Sequence, residues 1–143
     1  MLTSMAELPL TGGCLCGSVR YEIAEPLVAA AYCHCTRCQR RTGSAAAVSG
    51  RVVPGSLRIV QGEQHVKAWE PGDGYAKCFC GLCGGALWSR HPEEHEQVWV
   101  RLGTFDSDPG IRPTYRQYVA YAVPWEPIPD DGLERYPEGK PPS

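Results

Sequence analysis

Eight cysteines in 143 residues constrain this chain more than any other feature, because they stand in tight clusters. Cys14 and Cys16 come first, then Cys33, Cys35 and Cys38, then Cys78, Cys80 and Cys83. Thiols one or two residues apart converge on one point in space, which suits a metal ion; disulfides are the competing reading, but they staple loops that are distant in sequence. The stretch Cys33-His34-Cys35-Thr36-Arg37-Cys38 matters most. Its three thiols can hold a metal and leave one coordination position open, and an open position is where chemistry can occur.

A structural zinc takes four tetrahedral ligands, commonly as two pairs from two turns. Cys14 with Cys16 and Cys80 with Cys83 are such pairs, each followed directly by a glycine, Gly17 and Gly84. Glycine allows the sharp turn that lets backbone N–H groups face the thiolates. A closed site on these four cysteines would clamp the first hairpin to the central one. A sulfur tetrahedron does not by itself choose between zinc and iron. Cys78 leaves a second arrangement open, since Cys78-Phe79-Cys80-Gly81-Leu82-Cys83 repeats the spacing of residues 33–38. On an extended segment Cys78 shares a face with Cys80, and it either closes the second metal site as a fourth ligand or packs as a small apolar residue.

A chain of this length supports one domain. Val19, Tyr21 and Ile23 alternate with polar neighbours and predict a half-buried strand over 18–23, after a turn at Thr11 to Gly17. Further strands are expected at 28–32, 45–53, 57–61, 66–69, 75–80, 86–89 and 98–102, with a strand-like run at Tyr118 to Val123. Thr36 to Thr42 suits a surface turn or short helix stopped by Gly43. No sustained helical periodicity and no fixed-length repeat is present. The fold class is therefore mainly β, with short antiparallel strands. Residues 1–9 read as a loose N-terminus, 10–137 as the zinc domain and 138–143 as a disordered tail.

The formal net charge is -2 and the basic residues are scattered, so nothing predicts a nucleic-acid partner. Residues 1–12 lack a secretory signal, and no apolar run approaches the ~20 residues needed to span a bilayer. The expectation is a soluble, cytoplasmic protein without membrane contact, in a compartment that keeps thiols reduced.

Together the clusters and their flanks resemble a known family. Gly13-Cys-Leu-Cys-Gly-Ser-Val-Arg-Tyr21, Cys33-His-Cys-Thr-Arg-Cys-Gln-Arg-Arg-Thr-Gly43, Phe79-Cys-Gly-Leu-Cys-Gly-Gly-Ala-Leu87, Gly103-Thr-Phe-Asp106 and Pro124-Trp125 are similar, in order and spacing, to the glutathione-dependent formaldehyde-activating enzymes, a family that includes centromere protein V. The resemblance spans about residues 10–137 and implies the β-tent fold of stacked, coiled sheets. It implies two zinc ions per chain, a structural one on Cys14, Cys16, Cys80 and Cys83 and a catalytic one on Cys33, Cys35 and Cys38. It also implies a carbon-sulfur lyase by classification, joining the thiol of glutathione to formaldehyde as S-hydroxymethylglutathione. Cys78 and Arg116 depart from the family pattern, which often has a basic or polar residue at the first position and a histidine at the second.

Arg37, Arg40 and Arg41 are candidates for holding the carboxylates of a peptide-like thiol, against the plainer reading of a solvated basic turn. His34 suits an acid–base role by its pKa, but an extended backbone turns it away from the metal side and favours a supporting role. Trp69, Trp88, Trp99 and Trp125 are expected in the core or in sheet packing, Asp106 and Asp108 in a turn, and His65, His91 and His95 on the surface. The leading expectation is a zinc enzyme that activates glutathione or an analogue toward a small aldehyde. The other is a zinc-stabilised binding module with both metal sites closed.

Overall fold

The computed structural model describes residues 6–142, so most of the segment read as a loose N-terminus, residues 1–5, lies outside the described residues. The strands in chain order are β1 (Leu10–Gly13), β2 (Arg20–Ile23), β3 (Ala29–Cys33), β4 (Ala47–Arg51), β5 (Leu57–Gln61), β6 (Val66–Trp69), β7 (Ala76–Cys80), β8 (Ala86–Arg90), β9 (Val98–Arg101), β10 (Tyr115–Gln117) and β11 (Glu134–Arg135). A helix, α1 (Thr36–Thr42), joins β3 to β4. Cys35 caps its start by accepting a hydrogen bond from the Cys38 N–H, and Gly43, in the left-handed region at φ 69°, ends it.

β1, β2 and β5 form a three-stranded antiparallel sheet, and the other eight strands form one sheet in the order β11-β10-β3-β4-β9-β8-β7-β6. This is the mainly β, multi-sheet architecture of the β-tent. β10 departs from the antiparallel expectation by running parallel to both β3 and β11. Period-2 alternation gives the large sheet two different faces. Val98 and Val100 of β9, Cys78 and Cys80 of β7 and Leu87 and Trp88 of β8 turn toward the small sheet and join Val19, Tyr21 and Ile23 in the core. Tyr21 anchors that core, meeting Trp88 and Phe105 edge-on with ring centroids 5.8 Å away in each case.

Two stretches differ from the sequence expectation. The start of the predicted turn is strand β1, because Leu10 is buried and Gly12 and Gly13 pair with Tyr21 and Arg20. A Cβ on Gly12 would stand 2.4 Å from the Thr104 carbonyl oxygen and from the Tyr21 hydroxyl, so only glycine fits that crossing. The run Tyr118 to Val123 is not a strand: β10 has already ended, and Val119–Tyr121 is one 3-10 turn entered through Tyr118 at φ 58°. Its N–H groups bond to the end of the chain instead, Tyr118 to the Glu138 carbonyl, Val119 to Tyr136 and Ala120 to Pro137. Residues 138–142, expected as a tail, here run back along this turn, with the Lys140 N–H donating to the Gln117 side chain at 3.0 Å.

Candidate metal centres and an adjoining cavity

The turn after β1 and the hairpin tip between β7 and β8 bring Cys14, Cys16, Cys80 and Cys83 together, with all four sulfurs within 4.8 Å of one another. Cys16 Sγ lies 3.7 Å from Cys14 Sγ and 3.9 Å from Cys80 Sγ. A tetrahedron of ~2.3 Å zinc–sulfur bonds puts sulfurs roughly 3.8 Å apart, so this donor set fits the ion. Backbone N–H groups point at the sulfurs as the flanking glycines suggested, Val19 to Cys14 at 3.2 Å and Leu82 to Cys80 at 3.4 Å. The Ser18 hydroxyl and N–H lower the Cys16 thiol.

Cys33 at the end of β3, Cys35 at the helix cap and Cys38 inside α1 form a second group, again within 4.8 Å. The helix start creates it, since capping turns Cys35 Sγ toward the Cys38 N–H at 3.3 Å. The neighbouring Cys33 and Cys38 thiols hold the Cys35 thiol below the usual range, and the Cys38 N–H and the Lys77 ammonium add to the effect. All eight cysteines are free. Cys78 belongs to neither group: it is 0% exposed, on the core face of β7, while β7 sends Lys77 to the face on which Cys33 stands.

That second face of the large sheet lines a cavity of about 1100 Å³. Ala29, Ala31 and Ala47 keep its floor low, Trp99, Tyr115, Tyr118 and Tyr121 wall it, and residues 139–142 close one side. Cys33, Cys35 and Cys38 open into it. Two basic side chains stand on the floor. Arg101 donates from Nη1 to Ser49 Oγ at 2.9 Å and from Nη2 to Ser89 Oγ at 2.7 Å, and Lys77 Nζ lies 3.4 Å from the same Ser89 hydroxyl. Burial lowers the pKa of both, and the nearby thiols oppose the shift.

Of the three arginines proposed from sequence, only Arg37 lines the cavity, paired with Asp73 at 2.7 Å. Arg40 is exposed elsewhere on the helix, and Arg41 lies over the Phe79 ring at 5.3 Å and donates to the Cys78 carbonyl at 3.2 Å. Four basic groups that sequence reasoning missed also line the cavity: Lys77, Arg101, Arg51 and Lys140. The signal was Lys77 between Ala76 and Cys78, and Arg101 after Val100, charged residues on strands whose alternate positions are all core. His34 is buried away from the cavity, with Nε2 at 3.2 Å from Arg116 Nη1, and burial followed by the Arg116 charge lowers its pKa. Trp88 alone of the four tryptophans is in the core; Trp99 is cavity wall, and Trp69 and Trp125 are exposed. Asp106 bonds to Arg20 and Thr11, and Asp108 to Arg112, both outside the cavity.

No helix among the described residues is long and apolar enough to cross a membrane. A crystal structure of a Rhodobacter sphaeroides protein shares the fold, with a TM-score of 0.58 at 23% identity, covering 88% of this chain and 98% of that one. A Halomonas elongata protein named "Putative glutathione-dependent formaldehyde-activating enzyme" is 27% identical over 108 residues, 69% of this chain and 67% of its own length. The family model for glutathione-dependent formaldehyde-activating enzymes matches residues 9–121, which include both thiol groups and most of the cavity, and this chain belongs to that family.

Proposed function

We propose that the protein is a zinc-dependent carbon-sulfur lyase-type enzyme that joins glutathione, or an analogous cellular thiol, to formaldehyde as an S-hydroxymethyl adduct. The observation that carries this reading is a group of three thiols opening into a cavity whose floor holds Lys77. Zinc on Cys33, Cys35 and Cys38 would supply a positive centre that keeps a substrate thiol deprotonated near neutral pH. A second zinc on Cys14, Cys16, Cys80 and Cys83 would be structural.

Arg37, Arg51 and Lys140 at the rim suit the two carboxylates of a peptide thiol. Fixing the peptide there aims its sulfur at an aldehyde carbon on the floor, replacing a chance encounter by a held geometry. As the carbon–sulfur bond forms, the aldehyde oxygen becomes an alkoxide. Lys77, whose pKa burial lowers, is the group suited to bond that oxygen and give it a proton. The binding-module alternative needs Cys78 as a fourth ligand, and the burial of Cys78 on the opposite face of β7 argues against it. Reduced, open thiols of this kind suit the cytoplasm.

Calorimetric titration of glutathione into protein carrying two zinc ions tests the reading, with Cys35→Ala as control. Saturable binding that the variant loses, followed by faster formation of the adduct from formaldehyde by NMR, is the expected result. Equal binding by both proteins would overturn it.

A further inference from the structure

Arg101 has no counterpart in the reaction with formaldehyde. Six ion pairs occur among the described residues, made by Arg20, Arg37, Arg58, Arg90, Arg112 and Arg116. Arg101 is more deeply placed than most of these, yet among the described residues neither it nor Lys77 has a carboxylate partner. Burying a cation without a counterion is costly. Ser49 and Ser89 instead hold its guanidinium in place, one on each Nη; Nη1 also reaches the Trp99 carbonyl at 3.5 Å, and Nη2 keeps a second N–H. The cluster is built by register: Ser49 pairs Arg101 across β4 and β9, and Lys77 pairs Ser89 across β7 and β8. A guanidinium fixed by two serines is a planar fork of the shape that receives a carboxylate.

Charge points the same way. The lining carries five basic side chains, Arg37, Arg51, Lys77, Arg101 and Lys140, against one carboxylate, Asp73. Three cysteine thiolates on a divalent ion, plus a peptide thiolate with two carboxylates and one ammonium, together carry three negative charges. One positive charge is then left over opposite a neutral aldehyde, and none opposite a monocarboxylate.

We propose that Arg101, held by Ser49 and Ser89, is a carboxylate subsite for the electrophile, and that the preferred electrophile is glyoxylate, the 2-oxo acid whose 2-oxo group is itself the aldehyde. This rests on the reading of the cavity as a thiol-addition site. The thiolate sulfur bonds to the aldehyde carbon, the carbonyl π pair moves to oxygen, and that oxygen takes a proton to give a 2-hydroxy acid with sulfur on the same carbon. Nothing is oxidised or reduced. The carboxylate on Arg101 and the alkoxide beside Lys77 put both ends of the electrophile on neighbouring floor residues.

Two measurements test the subsite. The first compares kcat/KM for glyoxylate and formaldehyde in the zinc-loaded protein and in Arg101→Lys, which keeps the charge and loses the fork. The wild type is expected to favour glyoxylate about tenfold or more, and the variant to lose about tenfold of that ratio. A wild-type preference for formaldehyde, or a ratio unmoved by the variant, overturns the proposal. The second is calorimetric titration of glycolate, an unreactive carboxylate probe, into glutathione-loaded protein. Binding that weakens about tenfold in Arg101→Lys supports the subsite, and absence of binding to the wild type overturns it. Failure of glutathione itself to bind would instead strike the proposed function.

Discussion

Arg116 Nη1 donates to His34 Nε2 at 3.2 Å, on the side of the large sheet that faces away from the cavity. The same guanidinium lies 4.0 Å over the Tyr32 ring and reaches Asp131 at 2.9 Å, so one side chain ties the end of β3 to the C-terminal segment. His34 is thereby held neutral between two cysteines of the three-thiol group. Arg116→Met should leave a buried imidazole unpaired and lower stability by about 2–4 kcal/mol, read by urea unfolding. The same variant should release zinc faster from the three-thiol group alone, and unchanged release would mean that the pair serves stability only.

Three ligands hold an ion less tightly than four. On titration with a chelator, the ion on Cys33, Cys35 and Cys38 is expected to leave first and the ion on Cys14, Cys16, Cys80 and Cys83 later. Two well-separated steps in a chelator-dye assay would fit the partition; a single step releasing both ions would count against it.

Cys78 packs in the core, so its removal is a packing defect and not a metal defect. Cys78→Ala should keep both ions and lose about 1–2 kcal/mol of stability. Elemental analysis giving one zinc per chain would show that Cys78 is a ligand after all.

The grouping of thiols was legible because metal ligands sit close in sequence, and Leu57–Gln61 and Val66–Trp69 were legible because short apolar runs between turns read as strands. β1 was not, because the two glycines that suggest a turn are there to admit close neighbours, Thr104 and Tyr21 at Gly12 and the Val19 carbonyl at Gly13. The cavity charges were illegible for another reason. Arg40 and Arg41 lie close to the thiols along the chain but face elsewhere on α1, whereas Lys77 and Arg101 reach the cavity only through the pairing of strands distant in sequence.

Gly12 offers a sharp test of that crossing. Gly12→Ala forces a methyl group against a backbone oxygen and the Tyr21 hydroxyl, and should cost roughly 1–3 kcal/mol by overpacking. A melting temperature equal to that of the wild type would show that β1 can shift without loss.

Asp106 accepts from Arg20 Nη1 at 3.0 Å and from the Thr11 hydroxyl at 2.6 Å, and these bonds lower its pKa. Its contribution is therefore present above the ordinary carboxylate value of about 4 and is lost as pH falls through the lower folded value. The side chains are partly exposed, so the contribution is small, about 0–1 kcal/mol. The stability difference between wild type and Asp106→Asn should shrink toward zero in acid below pH ~4; a difference that grows there would reverse the sign of the argument.

The parallel insertion of β10 beside β3 has a consequence for how the protein is made. A ribosome that has released residue 83 has delivered every cysteine of both groups, while Tyr115, Tyr118, Tyr121 and Lys140 are still unmade. Both thiol groups are therefore complete before the cavity is walled, and synthesis delivers the residues able to capture metal before the chamber that encloses them.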